Sequence, residues 1–548
     1  MSALPSLTSS PLNLITLRDQ EKKTLIELLN KIEGDKCIIL DLQLSKPLMM
    51  VTRDASVLKE CGVKTFVNLN SPVSSISEPN TIFFVKPCCS AIKTVSSTIH
   101  KFIEDGIKST FYLFLFPCLT RITREMMKDT GIIDLVTVLD TNMDLYPLDD
   151  DILSLEWYSS FSDLLLNNDY TSLQLMANAL MRIQSLYGVI PHVTAIGANA
   201  TAVVEMISQK RVESKEKESD LPPEIDRLIV IDRSMDLVTP FVVPLTYEGL
   251  LDEVAGIDCG VVTFPEKNGK TEKMTTVRLN NTDAFFQELR DDNIAKVIRV
   301  LNEKAKQVKE EADTRPIDSS SSISEIAEFK QKLPEILLRR KLLECHLNLV
   351  SAVTSVTNGD SFHSRWEQEH RILSGDGSVQ EIVDMGDQDA SFYSVLKLLV
   401  LQCLVNNGLP PKSFDSIRRD LVQLYGFQNI PLLNHLQQLR LLFPKETAGN
   451  FSTLRSRMRL VQDGVDGLSN RDMTYITSGY APLTGRLVQA ILTQGGVSQE
   501  ILKILNSPVR ELNQIVSCPH RDTGMRKKVA LVVFVGGATY TEVAAMRQ

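Results

Sequence analysis

The residues that could do chemistry are few, and they are scattered along the chain. Asp232 and Asp236 follow the apolar run Leu228-Ile-Val-Ile231. That is the carboxyl end of a strand, where open α/β sheets place catalytic or metal-binding carboxylates. General acid–base or phosphotransfer work would call for a second cluster of His, Asp or Glu, and none stands at a recognisable spacing. The alternative is an ion-paired turn, with Arg233 between Asp232 and Asp236, ended by Thr239-Pro240. Gly536-Gly537 follows a second apolar run and precedes Thr539 and Glu542. A strand, two glycines and a helix start can cradle an anion on free amides. The spacing is not GxGxxG, however, and Thr539 with Glu542 has the offset of a capping box. Lys267-Asn-Gly-Lys-Thr271 resembles the tail of a phosphate-binding loop, but Phe264 stands where the first glycine is needed. A polar turn is expected there. His363 with His370, and Cys518 with His520, lack the four-ligand pattern of structural zinc and read as surface residues. No cofactor is called for. The enzyme reading that stays open is a nucleotide-binding or phosphotransfer enzyme working at Asp232.

The elements that would position these residues change character along the chain. β-rich runs at 37–41, 65–67, 81–85, 111–116 and 135–139 alternate with helical patterns at 20–32, 90–102 and 121–128. Buried strands joined by crossover helices predict a mostly parallel open sheet. Residues 149–187 read as helical, 209–224 as a solvated loop, and 228–232 as the strand that opens a second α/β unit. From 281 to about 471 the pattern is mostly helix. Ile294, Val297, Ile298, Leu301, Ala305 and Val308 form one apolar stripe. After a polar break at 314–322, a second helix carries Ile336, Leu343, Leu347 and Val350, which completes a long helical hairpin. A compact helical block spans 392–442. The β signal returns only at 529–535. The expected architecture is an N-terminal α/β domain (1–150), a second α/β domain in two segments (151–280 and 471–548), and a helical domain (281–470) inserted between them.

The 548 residues, 43% apolar and 23% charged with a net charge of −9, describe a globular multidomain chain and exclude a disordered one. The acidic balance argues against a dedicated nucleic-acid binder. Residues 1–20 show no secretory signal, and the longest apolar runs fall far short of the ~20 residues that span a bilayer. Membranes are therefore expected to be reached through partners. Nine cysteines without a CxxC pair predict buried thiols in a reducing cytosol, where the sequons at Asn199, Asn280 and Asn450 stay unused.

Three blocks carry a resemblance. Residues 228–240, Leu-Ile-Val-Ile-Asp-Arg-Ser-Met-Asp-Leu-Val-Thr-Pro, continue into 245–253, Leu-Thr-Tyr-Glu-Gly-Leu-Leu-Asp-Glu. This stretch closely resembles a signature of the SM family, the Sec/Munc-type regulators of SNARE-mediated membrane fusion. Residues 475–483, Tyr-Ile-Thr-Ser-Gly-Tyr-Ala-Pro-Leu, with Arg486, and 532–542, Val-Val-Phe-Val-Gly-Gly-Ala-Thr-Tyr-Thr-Glu, follow in the family's order. Pro11-Leu-Asn-Leu14, Leu186-Tyr-Gly188, Asn407-Gly-Leu-Pro410 and Leu424-Tyr-Gly-Phe-Gln-Asn-Ile430 resemble the vacuolar and lysosomal branch. The likeness covers essentially the whole chain.

The resemblance implies a three-domain arch and a non-catalytic role. Members of this branch bind SNAREs and serve in the tethering complexes HOPS and CORVET, in vesicle-mediated protein transport and fusion at late endosomes and vacuoles or lysosomes. The implied location is cytoplasmic and peripheral on those membranes, with no nucleic-acid partner. SNARE motifs are poorly ordered alone, so a rigid hairpin that presents a groove lowers the entropy cost of assembling them. Phe286, Arg290, Lys304, Lys332, Arg339 and Arg340 are the candidate SNARE contacts, while Ile294, Leu301 and Leu343 are expected to pack the hairpin together. Docking to a superhelical class C vacuolar sorting subunit is carried over to Arg418, Phe427 and Ile430, with core packing open for Ile430. Other tethering-complex subunits are implied partners too. Asp232, Arg233, Asp236, Thr239 and Pro240 become a structural signature. In the family the final motif is followed by the end of a helix and another strand, whereas this chain stops at Gln548, six residues after Glu542. The second segment is therefore expected to be truncated.

Overall fold

The computed structural model describes residues 3–71, 76–213, 221–268, 271–313, 323–388, 390–445, 450–465, 467, 471–514 and 527–548. Each early β-rich run becomes a strand: β1 (Lys36–Leu40), β2 (Val63–Asn68), β3 (Asn80–Val85), β4 (Thr110–Leu115) and β5 (Val136–Asp140). They pair in the order β2-β1-β3-β4-β5, every neighbour parallel. Parallel neighbours need crossovers that cover both faces, so the strands are apolar on both sides. Ile38, Ile82, Phe84 and Phe114 enter one core, and Cys37, Ile39, Phe83 and Leu113 the other.

Residues 149–187 depart from the helical expectation. A hairpin of β6 (Tyr146–Asp149) and β7 (Ile152–Ser154) comes first, and only Thr171–Tyr187 is a long helix. Three consecutive aspartates separate two short apolar runs there, and the pattern between them is too brief to show a period of two. The second sheet also begins earlier than expected. It contains β8 (His192–Ile196), β9 (Arg227–Asp232), β13 (Val509–Asn513) and β14 (Ala530–Val535), in the order β13-β8-β9-β14. β8, with Thr and Ala among its five residues, and β13, Val-Arg-Glu-Leu-Asn, carry weak apolar signals, as suits strands near a sheet edge. The β signal thus returns at 509, before the run at 529–535. In the chain between β9 and β13, three strands form a separate antiparallel sheet: β10 (Ile257–Asp258), β11 (Val261–Asn268) and β12 (Thr271–Arg278). The phosphate-loop look-alike runs from the end of β11 to the start of β12, and its Gly269 and Lys270 lie outside the described residues.

The second sheet has two different covers. Val193, Ala195, Leu228 and Val230 face the helices Thr171–Tyr187 and Ala198–Glu213. Ile196, Ile229 and Ile231 join the core of the helical block, with Leu398, Leu399, Leu421 and Leu487. The α/β class expected from the sequence therefore holds, with one sheet assembled from separated segments and a helical stretch packed onto it.

The three recognisable blocks meet at the end of β9. Arg233 donates to the Asp236 backbone oxygen but forms its ion pair with neither neighbouring carboxylate, which corrects the expected ion-paired turn. Its guanidinium reaches Glu542 in a two-pronged bond, Nη1 to Oε2 at 2.6 Å and Nη2 to Oε1 at 2.7 Å, and Glu542 is 0% exposed. Thr484 Oγ1 donates to the same carboxylate at 2.6 Å. Glu542 also accepts from Thr539 N while Thr539 Oγ1 accepts from Glu542 N, so the capping box is formed. The aspartates serve backbone donors instead. Asp232 accepts from Ser234 N and Asn199 N. Asp236 accepts from Val238 N, Thr239 N, Thr239 Oγ1 and Leu483 N. A turn this short leaves backbone amides unpaired, and a buried carboxylate two or three residues away is their nearest acceptor. Pro240 lies in the following single turn, Thr239–Phe241, and is exposed.

Breaking a buried ion pair from one side strands the other charge, at a cost of about 3–5 kcal/mol. Glu542→Ala is therefore expected to lower the unfolding free energy in urea by about that amount. The double change Arg233→Met with Glu542→Leu, which leaves no charge behind, should lose much less than the two single changes summed.

Candidate functional site: a helical hairpin and an exposed aromatic ridge

The helical stretch projects two antiparallel helices, a first hairpin helix (Ile294–Asp313) of 20 residues and a second (Ile323–Thr357) of 35. Their seam is the predicted stripe. Val297, Leu301, Val308, Leu343 and Val350 are buried in one core, with Ile294, Ile298 and Ala305 against it. Ile294, Leu301 and Leu343 thus pack the hairpin, as expected.

The root of the hairpin is held by a buried polar string that no sequence motif announced. Asp283 caps the helix Ala284–Leu289, accepting from Phe285 N and Phe286 N. Its other carboxylate oxygen lies 3.1 Å from His346 Nε2, and His346 Nδ1 lies 2.9 Å from the Tyr247 hydroxyl. A Tyr-His-Asp string can serve nucleophilic chemistry, but Tyr247 and His346 are buried and closed to any substrate. They tie the second hairpin helix to the helix Tyr247–Ala255. Residues so far apart in sequence offer no local spacing by which to find them.

Beside it lies a denser electrostatic joint. Arg290 bonds Asp149 Oδ2 at 2.5 Å and Asp151 Oδ1 at 3.2 Å, and its Nε lies 3.6 Å from Glu248. Arg547, on the closing helix Tyr540–Arg547, bonds Glu248 at 2.6 Å, Asp151 at 2.7 Å and Asp291 at 3.1 Å. Four carboxylates from three chain segments thus share two guanidiniums. Burial pushes the Glu248 and Asp291 carboxyls up to about 7 against the pull of Arg290, and their own mutual repulsion adds to the rise at Asp291.

The six hairpin candidates separate accordingly. Phe286 is 1% exposed and Arg290 is 2% exposed, so both belong to the root and neither presents a surface to a partner. This corrects their assignment as contacts. An aromatic ring on a capped, buried helix fills the core, and a guanidinium beside four carboxylates is already committed. Lys304 pairs with Glu288 and sits 5.2 Å from the Phe285 ring. Arg339 and Arg340 are exposed on the second hairpin helix, whereas the Lys332 side chain lies outside the described residues. Between Pro334 and Lys341 no side chain is buried, and Leu337 and Leu338 are 55% and 57% exposed. These two leucines were missed because the seam accounted for the helix. Their signal was an apolar pair off the stripe, on a helix apolar on more than one face.

A second exposed surface closes the helical block. The helix Pro411–Tyr425 ends at Gly426, whose φ of 94° belongs to the left-handed region and turns the chain sharply. The turn leaves Phe427 78% exposed and Ile430 38% exposed, with Leu424 and Tyr393 exposed as well. Ile430 is therefore surface rather than core. Arg418 does not reach out freely, since it bonds Gln437 and Asn434 and braces the helix Ile430–Gln438. Of the two expected surface histidines, His363 is exposed, but His370 is half-buried with its ring 4.5 Å from Trp366. Cys518 and His520 lie outside the described residues. Among the described residues no group of three His, Cys, Asp or Glu could hold a metal ion, and no helix is long and apolar enough to cross a membrane.

A family model described as the Sec1 family matches residues 36–548. The vacuolar protein-sorting-associated protein 33 homolog of Arabidopsis thaliana is 32% identical over 569 residues, covering 100% of this chain and 94% of that protein. Vacuolar protein sorting-associated protein 33A of Rattus norvegicus is 32% identical, with 99% and 94% covered. Among solved structures, the Unc18–syntaxin 1 complex of Monosiga brevicollis matches with a TM-score of 0.58 at 16% identity, over 96% of this chain and 94% of the matched one. The SM protein Vps45 in complex with the Qa SNARE Tlg2 matches with a TM-score of 0.57 at 16% identity, over 96% and 92%.

The electrostatic joint carries a pH signature. Glu248 and Asp291 hold their protons to about 7 when folded, against ordinary values of 4.5 and 3.8. Between those limits the folded chain binds more protons than the unfolded one, so stability contributed by these groups falls as pH rises. The slope is at most about 1.4 kcal/mol per pH unit for each group. Urea midpoints measured from about pH 5 to pH 7 are expected to show this downward contribution, and Glu248→Gln to remove part of it.

Proposed function

The chain belongs to the Sec1 family, and on that premise we propose that it is a SNARE-binding chaperone and tethering-complex subunit that promotes membrane fusion. The compartments are the late endosome and the vacuole or lysosome, following the relatives named for vacuolar protein sorting. The observation that carries the reading is the exposed pair Leu337 and Leu338, followed by the exposed cations Arg339, Arg340 and Lys341. From Leu343 onward this helix packs against the first hairpin helix, whereas at Leu337 and Leu338 its apolar surface is exposed and open to a second neighbour. An amphipathic helix with apolar residues flanked by acidic ones would lie along it, and a SNARE motif in its helical form has this character. The rigid root lets the hairpin order that motif without ordering itself.

Two surfaces divide the work. Phe427 and Ile430, with Leu424 and Tyr393, form the candidate seat of the superhelical class C subunit, through which the chain would join HOPS or CORVET and sit peripherally on the membrane. Large exposed aromatics suit the centre of such an interface, and Arg418 bridges the helices Pro411–Tyr425 and Ile430–Gln438 that flank Phe427. A binding role rather than a catalytic one is supported by Asp232 and Asp236, whose carboxylates are taken up by backbone and hydroxyl donors. That leaves little for the phosphotransfer alternative to use.

The two surfaces are separable by mutation. Leu337→Asp with Leu338→Asp is expected to weaken binding of an isolated vacuolar SNARE motif at least tenfold, with unfolding energy changed by no more than about 0.5 kcal/mol. Phe427→Asp should leave SNARE binding intact and abolish pull-down of the superhelical subunit. If each variant retained both interactions, the assignment of surfaces would fail.

A further inference from the structure

Away from both surfaces, β13 forms one edge of the second sheet. Its inner side is pinned to β8 by the register from Val509↔Ile196 to Asn513↔His192. Gly197 N donates to Pro508 O, and Gln514 N donates to Pro191 O, each at a strand end. Backbone direction alternates along a strand, so residues 508, 510, 512 and 514 turn their polar groups inward. Val509, Glu511 and Asn513 turn theirs to the open edge. One face of β13 is closed, since Arg510 pairs with Glu205 and Leu512 packs into the core below. The other face is not. Val509 and Glu511 line a cavity of 720 Å³ with Thr194 and Ile196 of β8 and with Leu502 and Lys503 across from them.

We propose that the outer edge of β13 and the adjoining cavity form a docking site for an extended peptide segment of a partner, with a large apolar residue and a basic residue two positions apart. Outward amides and carbonyls on every second residue, a repeat of about 6.6 Å, are matched only by another extended chain. Residues two apart on that chain point to the same face and stand opposite Val509 and Glu511. The residue opposite Val509 stands beside the apolar side of the cavity, at Val509 and Leu502. The residue opposite Glu511 meets an exposed carboxylate that forms no ion pair among the described residues, with Lys503 as the other charge in the cavity lining, so a cation beside Glu511 is favoured. A second copy of this chain fits less well, because two antiparallel β13 strands centred on this position would bring their Glu511 carboxylates face to face.

The probe is a capped, fluorescein-labelled peptide, Thr-Val-Thr-Leu-Thr-Lys-Thr-Val-Thr, titrated against the full chain by fluorescence anisotropy. Saturable binding is expected, weakened at least tenfold by Glu511→Lys and several-fold by Glu511→Gln. A peptide with Glu in place of Lys should bind the Glu511→Lys variant at least tenfold better than it binds the unchanged chain. Leu502→Trp, which fills the cavity, should weaken both peptides. Absence of saturable binding, or equal affinity across the Glu511 variants, would overturn the proposal. A concentration-dependent dimer displaced by the peptide in light scattering would overturn it as well, by assigning the edge to a second copy. SNARE and superhelical-subunit binding are read separately and should not change in these variants.

Discussion

The buried pair between Arg233 and Glu542 is the contact on which the discontinuous architecture depends. It joins the turn after β9 to the closing helix, 309 residues away in sequence, and Thr484 adds a third segment to the same carboxylate. A sheet made of distant strands has no local turn to set its register. Here β14 aligns with β9 from Ala530↔Arg227 to Val535↔Asp232, and the polar cluster lies just past that last pair. A charge pair of this kind adds little net stability over an apolar contact, but it accepts few alternative arrangements. Its role is to specify which segments meet.

The same logic extends outward to the hairpin. The helical block shares a core with one face of the second sheet, so the sheet's assembly fixes the platform from which the hairpin projects. Tyr247, His346 and Asp283 anchor the second hairpin helix, and the Arg290–Arg547 joint links hairpin root, closing helix and the aspartates at 149–151. Rigidity at the root and apolar exposure farther along one helix are complementary. A binding face that must order a disordered partner gains from having no disorder of its own.

Much of this was legible in the residue pattern. Short continuous apolar runs marked the parallel sheet because both faces are covered, and the period of the stripe marked the hairpin because only one face of its first helix is covered. The elements that stayed hidden are those with few large apolar residues or with brief runs, such as β8 with Thr194 and Ala195 at its middle, β13 and the hairpin at 146–154. The charged candidates show the same divide. Arg339 and Arg340 lie on the surface, while Arg290, an equally plausible contact by type, is drawn inside by carboxylates from segments 40 to 140 residues away. Leu337 and Leu338 were passed over because a leucine in a hairpin helix reads as core. Only the neighbour's position shows which leucines are left uncovered. At the turn Asp232–Asp236 the partner of Arg233 was not legible, since the carboxylate it uses, that of Glu542, lies beyond any local window.

On the proposed function, the exposed apolar face at Leu337 and Leu338 receives a SNARE helix. Site-specific photocrosslinking tests it most directly, with a benzophenone side chain placed in turn at positions 338, 286 and 427 of the full chain and a vacuolar SNARE motif added. Crosslinking is expected from 338, and none from the buried position 286 or from the aromatic ridge at 427. Crosslinking from 427 with none from 338 would contradict it.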